Sequence, residues 1–346
     1  MLAGARNEVI DGFRGVAVLS VMTFHYLNRW SQELGALDGH GDWFAVGQLG
    51  VDLFFVISGL VITMTMLHSS DAIEFVVKRF ARLYPAFIVA ASLIFSLLAL
   101  ANPMHRDVGL PDYLANWTML AGDLGFQYVD GVFWTLAVEL KFYFFVAVAF
   151  IVLGRHGFWM GLVVVAALGS LASGMSRLVA DHIFIARYMP FFLLGAGAWY
   201  AIVERHRNAG IILALAAAAT YAIQFQANTP DDVPLWLAQI YLVTTIGLLI
   251  VLLRFAPTLN LGPLARVGRI SYSLYLVHQS LGVTTIALLM ARGWAQEVAI
   301  SAATATSFIS AWILFRCVEL PGQRMIMRAY RSWGDRLRGR HRALLM

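Results

Sequence analysis

Long apolar runs are the feature that most constrains this chain. From Ile10 to Cys317, stretches of about 20 mostly apolar residues, the length that an α-helix needs to cross a bilayer, follow one another with short polar breaks. The chain has 60% hydrophobic and 13% charged residues, against roughly 45–50% and roughly 25% in soluble domains. The sequence therefore predicts one all-α domain that crosses a membrane several times.

Hydropathy divides the chain into about ten transmembrane helices. The predicted segments are 10–30, 48–67, 85–101, 131–153, 158–179, 183–203, 209–227, 235–253, 270–291 and 298–317. Most Lys and Arg residues between segments fall on one side if both termini are cytoplasmic, as the positive-inside rule favours. We therefore predict a transmembrane domain at 1–320 and a basic cytoplasmic tail at 321–346.

Several classes of protein are disfavoured by the same residues. The single cysteine, Cys317, rules out an intrachain disulfide. The net charge of +5 is concentrated in the tail, which favours anionic lipid of the bilayer as its partner over nucleic acid. The first segment contains Asp11 and Arg14 and is predicted to be a retained helix, not a cleaved signal. The long connection 102–131 is predicted to be interfacial or re-entrant.

Two ionisable residues inside apolar segments are the main candidates for function. His25 is expected in the outer half of the first segment, and Glu139 at nearly the same depth in the fourth. Ionisable groups in hydrocarbon are costly and usually mark a pathway or a reaction site. A carboxylate beside an imidazole can orient a general base that deprotonates a hydroxyl. The alternative is an ion pair that only locks two helices together.

A basic cluster is the second candidate. Arg79 and Arg82 are three residues apart and share one face if their segment is helical. Guanidinium groups bind phosphate bidentately, and Phe80 and Tyr84 could cover a flat ring, so an anionic cytoplasmic donor could dock here. The alternative is an ordinary positive-inside anchor.

Other polar residues receive weaker interpretations. Arg14 could pair with Asp11 or reach a phosphate. His278 is expected near the inner end of its segment, which makes it a poorer partner for His25 than Glu139. Ser58 lies in a glycine-rich stretch that favours close helix packing, and it lacks the glycine pattern of a hydrolase nucleophile. The histidine spacing predicts no metal site.

Five motifs, in chain order, resemble those of the acyltransferase 3 family of bacterial integral-membrane O-acyltransferases. The similar stretches are 10–15 with His25, 50–59, the Arg-x-x-Arg stretch 79–85, 133–139 continuing to Tyr143, and 271–276 with His278. The chain departs from the family pattern at Leu140 and Lys141, where members often have Glu and Gln. It also departs at Val277 and Gln279, where Trp and Pro are frequent.

The resemblance implies an enzyme of the bacterial cytoplasmic (inner) membrane with no bound cofactor. Its donor would be acyl-CoA, most commonly acetyl-CoA, and its acceptor a hydroxyl of a cell-surface or exported glycan or glycolipid. The resemblance also implies His25 as the catalytic histidine, Glu139 as its support, and Arg79 and Arg82 as donor residues. Other residues of these motifs are further candidates. Arg14 and Tyr84 are assigned to the donor. The supporting residues are Asp11, Ser58, Trp134, Tyr143 and His278.

Two other functions remain open at this point. A transporter or flippase of a lipid-linked or acylated glycan could use His25 and Glu139 as a proton relay. A structural subunit of an envelope assembly would need neither residue. Consumption of acetyl-CoA separates the enzyme from both.

Overall fold

The computed structural model describes residues 2–29, 44–103, 105–224 and 261–344, together with positions 236, 239, 240, 243 and 247. In the first six and last ten of these residues only the backbone is described. The predicted segment 235–253 lies largely outside the described residues. All regular elements of the described part are helical, as the apolar pattern predicts.

Eleven α-helices of the described part carry the fold. They are α1 (Leu2–Phe24), α2 (Gly50–Leu67), α3 (Ala72–Leu100), α4 (Leu110–Asn116), α5 (Trp134–Met175), α6 (Met189–Ile202), α7 (Arg207–Ile223), α8 (Gly262–Arg269), α9 (Ser271–Met290), α10 (Gln296–Leu314) and α11 (Leu320–Leu344). A π-helical turn, His25–Arg29, continues α1, and a second one, Phe315–Glu319, joins α10 to α11.

Five helical stretches of the described residues are long and apolar enough to cross a membrane. They are Ala45–Leu67, Ala72–Leu100, Gly131–Met175, Ser271–Met290 and Gln296–Gly334. Two shorter apolar helices, α6 and α7, accompany them. The chain is therefore a multi-pass membrane protein, while the count of ten helices and the cytoplasmic location of both termini stay predictions.

Two helices extend beyond the membrane segments predicted for them. The third helix begins at Ala72 and not at 85, because the side chain of Asp71 caps it by accepting the backbone N–H of Glu74 at 2.8 Å. Its 29 residues span about 43 Å, more than the roughly 30 Å of hydrocarbon. Hydropathy detected only the apolar part, so the polar first turns were missed. The last segment likewise extends beyond 317 into α11.

A sharp bend divides α5 where the sequence predicts a break between two segments. Gly154 has φ +69° and ψ −177°, a conformation that is costly for a residue with a Cβ. Its position agrees with the predicted gap between 153 and 158. The two halves of α5 therefore correspond to two predicted membrane segments.

Close helix contacts depend on glycine. A Cβ added to Gly59 of α2 would collide with the backbone carbonyl of Phe192 in α6, and one on Gly195 would collide with Val56. Small residues let membrane helices approach to backbone contact. The packing role predicted for the glycines around residues 51–58 is confirmed at Gly59.

The connection between α3 and α5 folds back along α3. The Tyr113 ring stacks on Phe95 with centroids 4.6 Å apart, and the Tyr84 hydroxyl donates to the Trp117 carbonyl at 2.6 Å. Tyr84 lies sixteen residues before the end of α3 at Leu100, which is about 24 Å along the helix. The connection thus returns along α3, which is the course that the re-entrant alternative predicts, and we call it the re-entrant loop.

Side chains satisfy the backbone of this re-entrant loop, residues 102–131. Arg106 donates to the carbonyls of Tyr128 and Val129 at 2.6 and 3.0 Å. Asn116 donates to the Gln127 carbonyl at 2.8 Å and accepts the Val129 N–H at 3.2 Å. Irregular backbone is tolerated at membrane depth only when its polar groups are paired within the protein. These side chains therefore make the loop compatible with its position.

Candidate active site

Cationic side chains converge on a cavity between α1, α2, α3, α5 and α9, which we call the arginine cavity. Its volume is about 360 Å³. Four basic residues line it, namely Arg14, Lys78, Arg79 and Arg82. Glu139 is the single acidic residue among the described side chains that line it. The cavity therefore carries an excess of positive charge, which suits an anionic ligand.

The two predicted donor arginines are held by different contacts. Arg79 donates to the Thr65 hydroxyl at 2.6 Å and lies 5.9 Å from the centre of the Tyr143 ring. Arg82 forms an ion pair with the fully buried Glu319 and lies 5.6 Å from the centre of the Tyr272 ring. Helical spacing brings both guanidinium groups into one cavity, as expected.

Glu319 was missed by sequence reasoning. It lies just after the predicted end of the last membrane segment, at 317, and was given no role. Its carboxylate also accepts the Ser273 hydroxyl at 2.6 Å. An acidic residue directly beside an apolar segment was the available signal. Arg82 is therefore already paired within the protein, whereas the described contacts of Arg79, with Thr65 and Tyr143, are with uncharged groups.

Glu139 faces the arginine cavity. Its Oε1 accepts hydrogen bonds from the hydroxyls of Ser58 at 2.8 Å and Tyr143 at 2.7 Å. The contact with His25 that equal depth predicted is absent from the described contacts of Glu139. Trp134 and Glu139 lie more than one turn apart on α5 and line different cavities. The depth estimate was too coarse to separate those cavities.

His25 instead contacts His278. The Nε2 atom of His278 lies 3.0 Å from Nδ1 of His25, and the ring of His278 is fully buried. The ranking of His278 below Glu139 as a neighbour of His25 is therefore wrong. Ser271, the first residue of α9, lines the same cavity as Arg14. Counting from the start of α9 gave no information on which side chain of another helix His278 faces.

The hydrogen bonds around the two histidines fix which nitrogen carries each proton. Nδ1 of His278 faces the backbone carbonyls of Tyr275 at 2.9 Å and Leu274 at 3.2 Å. Carbonyl oxygens only accept, so this nitrogen must donate, and Nε2 of a neutral His278 is an acceptor. Nδ1 of His25 lies 3.0 Å from both that acceptor and the Val21 carbonyl, and it too must donate. In a neutral His25 the Nε2 atom is then the unprotonated nitrogen, as a general base requires.

A second cavity surrounds His25, and we call it the histidine cavity. Its volume is about 600 Å³. Its polar lining comprises His25, Arg29, Gln48, Asp52, Arg106, Arg187 and Gln279. The rings of Trp134 and Tyr188 also line it, with centroids 5.2 Å apart. Sequence reasoning quoted Asp52 within a motif but assigned it no role, and it did not anticipate Arg187 in the site.

The two cavities adjoin along one helix. Arg14 and His25 lie eleven residues apart on α1 and its π-helical extension, about 16 Å along the axis, and they line the arginine and histidine cavities respectively. Val51 and Tyr275 line both cavities. The two cavities are therefore neighbours, and Val51 and Tyr275 stand between them.

Two predicted site residues lie elsewhere. Tyr84 is absent from the residues that line the arginine cavity, and its hydroxyl holds the re-entrant loop through Trp117. Asp11 lies where α1 meets α8, with its backbone against Gly268. Among the described residues, no group of three or more His, Cys, Asp or Glu side chains could hold a metal ion.

The fold is that of a multi-pass helical membrane protein, and its two adjoining cavities bring together basic side chains and a pair of histidines. A family model described as an acyltransferase domain matches residues 7–316. The chain belongs to the acyltransferase 3 family, which confirms the expectation from its five motifs.

Curated relatives match part of the chain. A protein named "Putative O-acetyltransferase" from Staphylococcus aureus (strain COL) is 32% identical over 161 residues, which are 42% of this chain and 24% of that protein. The O-acetyltransferase OatA of Staphylococcus aureus (strain NCTC 8325 / PS 47) is 30% identical over 151 residues, 39% of this chain and 23% of OatA. The match thus spans about a quarter of each relative's length. No solved structure is significantly similar to the chain.

Proposed function

We propose that this protein is a membrane O-acetyltransferase that moves an acetyl group from acetyl-CoA to a hydroxyl of a glycan or glycolipid. The observation that carries the proposal is the junction of the two cavities. One is lined by four cations and the other by a histidine with an unprotonated Nε2, and they meet at Val51 and Tyr275. Membership of an acyltransferase family supplies the reaction class.

The arginine cavity suits the phosphates of coenzyme A. Arg79 is the main candidate because its described partners, Thr65 and Tyr143, are uncharged, so its charge is available to a phosphate. Arg14 would act beside it. Arg82 keeps its partner Glu319 and adds to the local field. The pantetheine arm would then extend towards the histidine cavity and carry the thioester past Val51 and Tyr275.

Proton transfer would begin at His25. Its Nε2 takes the proton of the acceptor hydroxyl while the hydroxyl oxygen attacks the thioester carbonyl carbon. The tetrahedral intermediate collapses by breaking the carbon–sulfur bond, and the imidazolium returns the proton to the leaving thiolate. His278 holds the His25 ring through the Nδ1–H bond and is a positioning residue. The products are the acetyl ester and free coenzyme A.

Glu139 would then support binding of the acyl donor, and it would not act on His25. Its carboxylate holds the Tyr143 hydroxyl, and the Tyr143 ring lies under the Arg79 guanidinium. Ser58 is the second donor to the same oxygen. These contacts would fix the orientation of Arg79 in the cavity. Glu139 thereby keeps a supporting role with a different target from the one the sequence predicted.

The histidine cavity suits a sugar as acceptor. Trp134 and Tyr188 offer aromatic faces, and Asp52, Gln48 and Gln279 offer hydrogen-bonding groups to hydroxyls. The relatives named as O-acetyltransferases support transfer to oxygen. We place the protein in the bacterial inner membrane, with the donor on the cytoplasmic side and a cell-surface or exported glycan on the other.

The decisive experiment measures consumption of radiolabelled acetyl-CoA by the purified protein in lipid nanodiscs, with cell-envelope extract as acceptor. His25→Ala should abolish transfer of label, while His156→Ala, at an exposed histidine beside the α5 bend, should leave it unchanged. Equal label transfer by the two variants would overturn the role of His25. Movement of a glycan across vesicles without thioester consumption would support the transporter instead.

A further inference from the structure

Four residues surround the place where the two cavities adjoin, and we call them the neck: Val51, Phe54, Thr135 and Tyr275. Val51 and Tyr275 line both cavities, while Phe54 and Thr135 line the arginine cavity beside them. These residues come from α2, α5 and α9. On the proposed function, each acyl group that reaches His25 must pass this neck, because the donor is anchored on the arginine side.

Tyr275 forms a rigid side of the neck. The side chain is 7% exposed, and its hydroxyl accepts a hydrogen bond from Thr135 at 3.0 Å. Phe54 contacts the ring edge to face with centroids 5.5 Å apart, and His278 lies 5.6 Å away. Rotation of the ring would break this hydrogen bond and disturb the partner of His25. The neck therefore cannot widen on this side without a cost to the site.

Val51 is the other residue that lines both cavities, and it is stiff for a different reason. It lies in the first turn of α2, where a β-branched side chain has one strongly preferred rotamer. It is partly buried and its side chain reaches both cavities. The width of the neck therefore depends on the size of residue 51.

We propose that the neck at Val51 and Tyr275 selects the acyl group by its cross-section and not by its length. An unbranched chain presents the same width as a methyl group along its whole length. Beyond the neck the histidine cavity, at about 600 Å³, has room for additional methylene groups. A branch next to the carbonyl widens the group where it must pass, so branched donors are rejected.

The proposal rests on the proposed function, and a pair of isomeric donors tests it. Butyryl-CoA and isobutyryl-CoA contain the same atoms and differ only in branching. We expect the wild type to favour butyryl-CoA in kcat/KM by about tenfold or more, the scale at which pockets distinguish one misplaced methyl group. Val51→Ala should bring the ratio close to one by raising the isobutyryl rate.

Val61→Ala is the matched control, since Val61 is on the same helix and lines the arginine cavity but not the histidine cavity. It should keep the wild-type ratio. Free coenzyme A should still bind measurably to the wild type and to both variants in calorimetry, which shows that each protein is folded and retains its donor site.

The outcomes distinguish failure of acyl selection at the neck from failure of the proposed function. Selection at the neck would be contradicted if the wild type had equal kcat/KM for the two isomers. It would also be contradicted if Val51→Ala and Val61→Ala changed the ratio equally. A protein that consumes no thioester of any kind would contradict the proposed function itself. Discrimination between the isomers that disappears only in Val51→Ala would support both the acyltransferase function and selection at the neck.

Discussion

The Nε2 atom of His278 accepts the Nδ1–H of His25 across 3.0 Å. His278 can do so because its own Nδ1–H is directed at the carbonyls of Leu274 and Tyr275. A chain of three polar groups, beginning at the backbone of α9, therefore sets the tautomer of His25. A neutral histidine here fills the orienting role that a carboxylate has in many hydroxyl-activating sites.

Replacement of His278 should reduce turnover more than donor affinity. In His278→Ala the His25 ring keeps only the Val21 carbonyl as partner, so we expect kcat to fall about 100-fold, the lower range of general-base effects. The KM for acetyl-CoA should stay within about twofold, because His278 does not line the arginine cavity. Steady-state kinetics in nanodiscs measure both. Wild-type kcat in this variant would contradict the positioning role.

Substitutions of Glu139 should weaken binding of the acetyl-CoA donor. Glu139→Gln retains an oxygen that can accept from Ser58 and Tyr143, so it should lose less activity than Glu139→Ala. In the alanine variant Tyr143 loses its acceptor, and we expect KM for acetyl-CoA to rise about tenfold. A change confined to kcat in both variants would instead favour a direct role at His25.

Substitutions of Arg79 and Arg82 should have different effects although the two residues belong to one motif. The first should change donor binding and the second stability. Arg79→Gln is expected to weaken acetyl-CoA binding without a large change in the melting temperature, because the partners described for Arg79 are uncharged. Binding calorimetry and thermal unfolding in detergent distinguish the two quantities. A strong loss of stability in Arg79→Gln would assign it a structural role.

Arg82→Gln should destabilise the fold. It leaves the fully buried Glu319 carboxylate without its cation, at a cost of about 3 kcal/mol or more. Arg82→Gln combined with Glu319→Gln removes both charges and should recover most of the melting temperature. Additive losses in the double variant would show that the two side chains act independently.

The re-entrant loop should depend on Asn116, whose side chain is 1% exposed. It forms three hydrogen bonds, to the carbonyls of Asp112 and Gln127 and the N–H of Val129. Asn116→Ala leaves buried backbone groups unpaired, so hydrogen exchange across 110–129 should accelerate at least about tenfold. Gln127→Ala, at an exposed side chain, is the matched control and should exchange like the wild type.

The sequence by itself determined the class of the molecule. A chain with apolar runs of bilayer length must pair its backbone groups within each segment, so helices follow from hydropathy. The break at Gly154 and the convergence of Arg79 and Arg82 were also predictable, because they depend on local backbone preference and helical spacing.

Which side chains of the site contact one another was decided only by the tertiary structure. Depth along a helix is readable from residue number, but the face a side chain presents and the level at which a neighbouring helix begins are not. His25 therefore contacts His278 and not Glu139, and Arg82 contacts Glu319 from beyond the predicted segment. The junction at Val51 and Tyr275 likewise requires three helices to meet at one level, which is a property of their packing and not of any one stretch of sequence.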